Sequence, residues 1–405
     1  MNLELPSYFG VWLADVAASA FRIGFPATGT FICGILAWLS LALLLWQWLA
    51  ARRFPLHRRE TGESAAPGAT LLKPLKGCDD STEACLRSWF AQDYRGPVQV
   101  LFGVASAQDP VCDIVRKLLQ EFPAADAQLL VCDPLQGTNF KVAKLVQLEQ
   151  RARYEIIVIS DADVRVPADL LSQVVRPLQA PETGLVNSVY RLANPLTLAM
   201  YWEAVAINAD FWSQVLQAQT LKPQQFALGA VMATRRGLVK EIGGLAALAD
   251  CLADDYQLGN RIARRGHRIV LCPVVVDCWD PAKSWPQVWR HQLRWARTIR
   301  VCQPGPYFLS ILSNPTLWPL IWLLVQPNRL AITFAVGCWA LRVWVAQDLQ
   351  RRLNQAAPPW RWAWVPLLKD LLQTVIWVLA FLGNRIEWRG ERMHLRRDGT
   401  LVREH

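Results

Sequence analysis

Histidine is scarce, with five in 405 residues, and no two of the ten cysteines stand at Cys-x-x-Cys spacing. That scarcity argues against a zinc centre and against a disulfide scaffold, and it reads the cysteines as reduced thiols. Charge is also sparse, at 19% of residues against 53% hydrophobic. Such a chain is too apolar to be disordered and unlike an ordinary soluble enzyme. There is no G-x-G-x-x-G loop, no Walker loop and no internal repeat. A net charge of +10 suits nucleic acid or an anionic membrane alike. No basic cluster is interleaved with aromatics, so no nucleic acid is expected as a partner. What the chain holds in excess is tryptophan, twenty in all, and its placement points to lipid.

Residues 31–50 carry no charge and are long enough to cross a hydrocarbon core as a helix. Trp38, Trp46 and Trp48 suit a membrane helix with an interfacial end. Arg52, Arg53, His57, Arg58 and Arg59 follow at once, which puts the chain beyond residue 51 in the cytosol by the positive-inside rule. The run is too long for a signal peptide, and no small-residue cleavage site follows it. Residues 3–25, broken by Pro6, Asp15 and Arg22, read as an interfacial segment. Three further apolar stretches lie at 307–326, 330–346 and 362–383. Each has a flaw: Asn314-Pro315 and Trp318-Pro319, then Arg342, then Lys369 with Asp370. If the basic tail 384–405 is cytosolic, an even number of crossings precedes it, so one of the three is re-entrant or interfacial.

Between these segments, residues 70–305 alternate short apolar runs with helical stretches, the pattern of a mostly parallel α/β sheet. Strands are expected at Thr70–Lys73, Val98–Val104, Gln128–Val131, Glu155–Ser160, Gly184–Val189, Ala227–Thr234 and Arg268–Val276. The sharpest chemical signal is the apolar run from Glu155 that ends in Asp161-Ala162-Asp163. Ligands of open α/β sheets bind beyond the carboxyl ends of strands, so both acids arrive where a ligand sits. With no basic neighbour in sequence, they invite a hard divalent cation, Mg²⁺ or Mn²⁺, bridging to a diphosphate. The bland alternative is a turn leading into a helix.

Other candidates are weaker alone. Asp109 precedes Pro110 as a natural helix cap. Lys141, two residues after Asn139, could meet phosphate from a loop. Asp254 and Asp255 open a helix, where acids suit the dipole and Asp254 reads as its cap, or where one removes a proton from a hydroxyl. In the helix 285–301, Trp285, Val288, Trp289, Trp295, Ala296 and Ile299 share one face with Gln292. Arg290, Arg294 and Arg297 lie opposite, the pattern of a helix in a membrane interface.

Taken in order, these residues resemble the ceramide glucosyltransferase family of membrane glycosyltransferases. The matching stretches are Lys73-Pro74-Leu75-Lys76-Gly77, Asp109-Pro110, Asn139-x-Lys141, Asp161 with Arg165-Val166, Asp255-Tyr256 and Arg294-Trp295. The run Trp388-Arg-Gly-Glu-Arg is similar to that family's C-terminus. His291 departs from the Gln or Arg with which the family's signature begins, and its surroundings look closer to the bacterial hopanoid-biosynthesis branch. The resemblance implies a single-sheet nucleotide-sugar domain of GT-A type, flanked by transmembrane and interfacial helices. It implies inverting transfer of glucose or N-acetylglucosamine from a UDP-sugar to a lipid hydroxyl, on ceramide or a hopanoid polyol. In that scheme Asp255 is the base, while Arg294 and Trp295 close the site. Lys73, Asp109, Asn139, Lys141 and Asp161 hold the donor, and Asp161 and Asp163 hold the cation.

The implied layout is an interfacial segment and membrane helix over 1–59, then a linker over 60–69. A cytosolic catalytic domain follows over 70–284 and an interfacial helix over 285–306. A membrane region over 307–383 and a basic cytosolic tail over 384–405 complete it, in an integral protein of a bacterial inner membrane. Two rivals share these features. A processive polysaccharide synthase needs a translocation channel, for which four candidate crossings are too few. A non-catalytic lipid- or nucleotide-binding protein would have lost chemical residues, and only His291 departs.

Overall fold

The computed structural model describes residues 27–62, 65–133, 137–388 and 391–403; the interfacial segment expected at 3–25 lies outside them. The chain opens with helix α1 (Ala27–Arg53) and then builds one eight-stranded sheet. Its strands are β1 (Ala69–Pro74), β2 (Val98–Val104), β3 (Asp126–Val131), β4 (Ile156–Ser160), β5 (Val164–Arg165), β6 (Thr183–Leu192), β7 (Val231–Arg235) and β8 (Arg268–Cys278). They lie in the order β3-β2-β1-β4-β7-β6-β8-β5. All five residues of β4 are buried, as its unbroken apolar run requires of a strand covered on both faces. Each such aliphatic side chain contributes about 1.5–3 kcal/mol relative to exposure.

The sheet is α/β and single, as expected, but mixed rather than mostly parallel. Strands β3, β2, β1 and β4 are mutually parallel, whereas β7 runs antiparallel to both β4 and β6. The cause lies in the connection before β7. Helices α4 (Leu198–Val205) and α5 (Trp212–Leu221), joined by a π-helical turn at 206–211, do not cross the sheet. Instead α5 packs against α1, with Gln47 Nε2 donating to Gln217 Oε1 at 3.2 Å and Trp46 Nε1 to Thr220 Oγ1 at 3.2 Å. Residues 227–230, expected as strand, form the turn that brings the chain to β7. Helix α2 (Val111–Glu121) follows β2, α3 (Phe140–Gln150) follows β3, and α6 (Asp254–Ala263) precedes β8.

Beyond β8 come α7 (Trp285–Cys302), α8 (Leu317–Val325), α9 (Arg329–Asn354) and α10 (Val365–Phe381). Among the described residues three helical stretches, Thr28–Arg53, Arg329–Asn354 and Trp360–Phe381, are long and apolar enough to cross a membrane. The segments Pro304–Ser313 and Leu317–Val325 pass the same test only as a pair bent by 54°. Helices α1 and α9 lie side by side in the same direction. Trp38 meets Phe334 at 4.6 Å near their starts, and Trp48 Nε1 and Arg52 both bond Asp348 near their ends. Helix α10 behaves differently and runs alongside α7. Val365 packs with Val288 and Ala296 at one end, and Arg300 sits 5.7 Å over Phe381 at the other.

Arg342, mid-way along α9, is buried and pairs with Asp370 of α10 and Asp210 of the π-turn, each at 2.8 Å. Lys369 reaches Asp210 at 2.6 Å, and Thr316 donates to Asp370 at 2.6 Å. Two cations thus face two anions, so the charges that flawed these segments as spans cancel inside the protein.

The region read as a basic tail is a three-stranded antiparallel sheet, β9 (Arg385–Trp388), β10 (Glu391–Leu395) and β11 (Leu401–Arg403). Ile386, Met393, Leu395 and Leu401 bury against Leu252 and Val301. The backbone amide of Leu401 donates to Asp250 O at 2.7 Å, and that of Leu252 to Gly399 O at 3.2 Å. The tail therefore braces the segment immediately before α6.

Candidate active site

The site forms where β1, β4 and the starts of α3 and α6 converge. Asn139 caps α3, accepting from the amides of Lys141 at 3.0 Å and Val142 at 3.2 Å. Its own Nδ2 donates to Cys251 O at 2.8 Å. This cap fixes Lys141, whose Nζ lies 2.8 Å from Asp161 Oδ1 and 3.2 Å from Asp254 Oδ2. Burial opposes the ammonium charge, but Asp161, Asp254 and Asp255 outweigh it and hold Lys141 protonated well above its ordinary range.

Two sequence expectations are corrected here. Asp161 does have a basic partner, because Lys141 stands in the first turn of α3 and not in a loop, and α3 begins beside the end of β4. Asp254 is not a helix cap: Ala253 occupies that place without a side-chain bond, and Asp254 faces Lys141 and Asn139 instead.

Lys73 is fully buried at the end of β1. Its Nζ lies 3.3 Å from Ser160 Oγ, donates to the Asp161 carbonyl, and sits 5.6 Å over the Trp89 ring. Burial pulls it down to about 8, with Asp163 as the main opposing charge. Lys73 thus holds the turn that carries the acids and does not line the cleft. Asp109 likewise joins two loops, since both its oxygens accept from the Gly77 amide, at 3.0 and 3.1 Å, and Oδ1 also accepts from Val111 N. Gly77 makes this turn with φ +67°, in the region that favours glycine.

Asp163 carries the acid charge that Lys141 does not offset. Burial, then Asp161 and Asp280, push its carboxyl up to about 7. Among the described residues no group of three or more His, Cys, Asp or Glu side chains converges to hold a metal. Asp161 and Asp163 nonetheless fit a hard cation that takes its remaining ligands from a diphosphate and water, the usual manner of Mg²⁺. A cation there would also relieve the repulsion at Asp163.

Asp255 is half-buried, and burial, then the charge of Asp254, push its carboxyl up to about 6 against the pull of Lys141. Its Oδ1 accepts from the Tyr256 amide at 2.8 Å. Its Oδ2 presses on Gly229, where a Cβ would come within 2.9 Å of that oxygen. Tyr256 in turn ties α6 to the end of α7, donating to Cys302 O at 3.0 Å and stacking on Phe226 at 5.7 Å.

Along α7 the buried side chains are Val288, Gln292 and Ala296, while Trp285 and Ile299 are exposed. The opposite, arginine-bearing face is covered by the tail sheet. Arg290 pairs with Glu387 at 3.3 Å, Arg297 donates to Arg385 O, and Arg300 to Asn384 Oδ1. Trp295 packs 5.8 Å from Phe211, which stands 6.2 Å from Tyr190. Sequence reading missed Glu203 altogether. It is buried in α4 and accepts from His291 Nδ1 and, at 3.0 Å, from Gln292 Nε2. A lone acid inside the apolar run Leu198–Val205 was the available signal.

This arrangement gathers acids, two lysines and an amide-lined turn at the carboxyl ends of parallel strands, the place where such sheets take nucleotides. The profile of glycosyl transferase family 21 matches residues 32–401. Ceramide glucosyltransferase 3 of Caenorhabditis elegans is 20% identical over 368 residues, spanning 87% of this chain and 78% of that relative. The ceramide glucosyltransferase of Candida albicans is 33% identical over 124 residues, 28% of this chain and 23% of that relative. Among solved structures, mannosyltransferase PcManGT from Pyrobaculum calidifontis, in complex with GDP-Man and Mn²⁺, shares the fold. It matches with a TM-score of 0.50 and 20% identity, over 85% of this chain and 98% of that one. A match across nearly the whole chain settles its membership: the protein belongs to glycosyl transferase family 21, and it is a glycosyltransferase.

Proposed function

We propose that the enzyme transfers a hexose, glucose or N-acetylglucosamine, from a UDP-sugar to the hydroxyl of a membrane lipid, with inversion at the anomeric carbon. Ceramide or a hopanoid polyol is the acceptor. The observation that carries this reading is Asp255: a carboxyl raised toward neutrality, next to a lysine–aspartate cluster and tied through Tyr256 to a Trp-rich helix. In one displacement the acceptor O–H gives its proton to the Asp255 carboxylate as the new C1–O bond forms. The bond from C1 to the diphosphate breaks at the same time, and UDP leaves. Asn139, Lys141, Asp109 and Asp161 shape the donor side, with Lys73 holding the turn beneath them. Asp161 and Asp163 would hold a divalent cation, which would supply positive charge against the diphosphate. Arg294 and Trp295 lie on the helix that closes the acceptor side.

The membrane layout supports the lipid acceptor. Helices α1 and α9 run the same way and end together against the α/β domain. The bent pair and α9 then make the two crossings after residue 303, while α10 lies with α7 along the interface. With Arg52, Arg53, Arg58 and Arg59 at the exit of α1, the domain faces the cytosol, where UDP-sugars are.

Membranes incubated with labelled UDP-sugars test the reading. Label in a lipid extract supports it, whereas label only in insoluble polymer, or no label, overturns it.

A further inference from the structure

The pair formed by Glu203 and His291 lies outside the acid cluster and has no part in the chemistry above. Glu203 is 1% exposed, and of its two carboxylate oxygens only Oε1 is used, accepting from both His291 Nδ1 and Gln292 Nε2. Oε2 is buried without a hydrogen bond, its nearest cation being Lys283 Nζ at 3.9 Å. An acceptor left in that state costs about 1–3 kcal/mol. Burial alone would raise this carboxyl, but the His291 bond and charge, with Lys283 and Gln292, hold it ionised below the usual carboxylate range. His291 keeps 23% of its side chain exposed, and among the described residues its Nε2 makes no hydrogen bond. With Nδ1–H given to Glu203, Nε2 is left as a second polar atom beside the unused Glu203 Oε2.

The surroundings say what reaches this pair. Trp202 stands 6.0 Å from Trp285, Tyr201 5.8 Å from Trp362, and the His291 ring meets Trp295 edge-on at 5.2 Å. Val288, Ala296, Val365 and Ile376 complete an apolar cluster where α4, α7 and α10 meet. A buried acceptor oxygen and a half-open imidazole set among tryptophans suit an amphipathic molecule that brings one hydrogen-bond donor. Phosphate or a free carboxylate does not fit, because Glu203 would repel it.

We propose that Glu203 and His291 form the polar end of the acceptor site and bind an O–H or N–H of the lipid headgroup other than the hydroxyl that is glycosylated. This rests on the lipid-acceptor reading above. The pair sets acceptor specificity and leaves the donor side untouched. From His291 an aromatic row runs through Trp295 and Phe211 to Tyr190, which feels the charges of Asp255 and Asp161.

The test uses the full-length enzyme in nanodiscs, with a short-chain ceramide and its analogue lacking the secondary hydroxyl, and with a second analogue methylated on the amide nitrogen. His291→Ala and Glu203→Gln should each raise the ceramide KM about tenfold, a loss of about 1.4 kcal/mol, with UDP-sugar KM and Kd unchanged. One analogue should penalise the wild type by a similar factor yet cost the variants nothing further. His291→Gln, which can still bond Glu203, should restore most of the affinity, and thermal melting of each variant checks its folding. An unchanged ceramide KM in an active, folded variant overturns the inference, as does a rise in donor KM alone. Failure of the wild type to glycosylate any lipid overturns the lipid-acceptor reading instead, and this inference with it.

Discussion

Replacing Asp255 by Asn separates proton uptake from shape, because the amide keeps the size and one acceptor oxygen but cannot take a proton. With a carboxyl raised to about 6, about nine-tenths of the wild-type enzyme carries an ionised Asp255 at pH 7 and about one-tenth at pH 5. Turnover under saturating Mn²⁺ should therefore fall about tenfold between those values. Asp255→Asn should lose about 10²–10⁴ in turnover and should lose that acid limb as well. Stability should move the other way. A folded-state value of about 6 above an ordinary 3.8 means the native state favours the protonated form. The stabilising contribution is then present at low pH and lost as pH rises through 6. The difference corresponds to about 3 kcal/mol at most, and partial exposure reduces it to roughly 1–3 kcal/mol. Asp255→Asn should thus melt higher than wild type at pH 7 while retaining UDP affinity. Wild-type turnover in the variant, with the same acid limb, would refute the reasoning.

Chelation by EDTA should abolish transfer and Mn²⁺ or Mg²⁺ should restore it, whereas full activity of Asp163→Ala in EDTA would remove the cation from the scheme. Gly229→Ala should displace the Asp255 carboxylate and lower kcat by about 10–100-fold with UDP binding intact; unaltered kcat would show that the contact is not felt. Arg342→Leu leaves Asp210 and Asp370 buried against Lys369 alone, so it should destabilise the protein by about 3–5 kcal/mol, read from unfolding in detergent. An unchanged melting temperature would mean the network carries no stability.

The acids were legible in the sequence because each follows or opens a strongly patterned element: Asp161 ends the apolar run of β4, and Asp255 starts α6. What covers them was not. Lys141 reaches Asp161 only because Asn139 caps α3 and bonds across to Cys251, more than a hundred positions away. No local pattern encodes such a pairing. The resemblance implied Lys73 as a donor contact, yet it is fully buried and bonds the turn that carries the acids. The mixed sheet was hidden because strand periodicity carries no direction. The tail read as a basic tail because its six arginines match its apolar residues in number and mask their spacing. Its alternation at Arg392-Met393-His394-Leu395 and the Asp398-Gly399 turn, with Gly399 at φ +85°, were nonetheless a hairpin signal.

The tail sheet also changes what kind of object the membrane region is. Residues 303–383 leave the α/β body at the end of α7 and return to it at Asn384, which accepts from Arg300 of that same helix. The two ends of the excursion are therefore neighbours, and the apolar segment is an insertion into the α/β body instead of an anchor hung from its end. Clipping the chain at residue 303 would strip the cover from Leu252 and Val301 and unbrace the approach to Asp255. A water-soluble form would have to remove α1 as well as excise the loop and rejoin its edges, keeping β9, β10 and β11 in place.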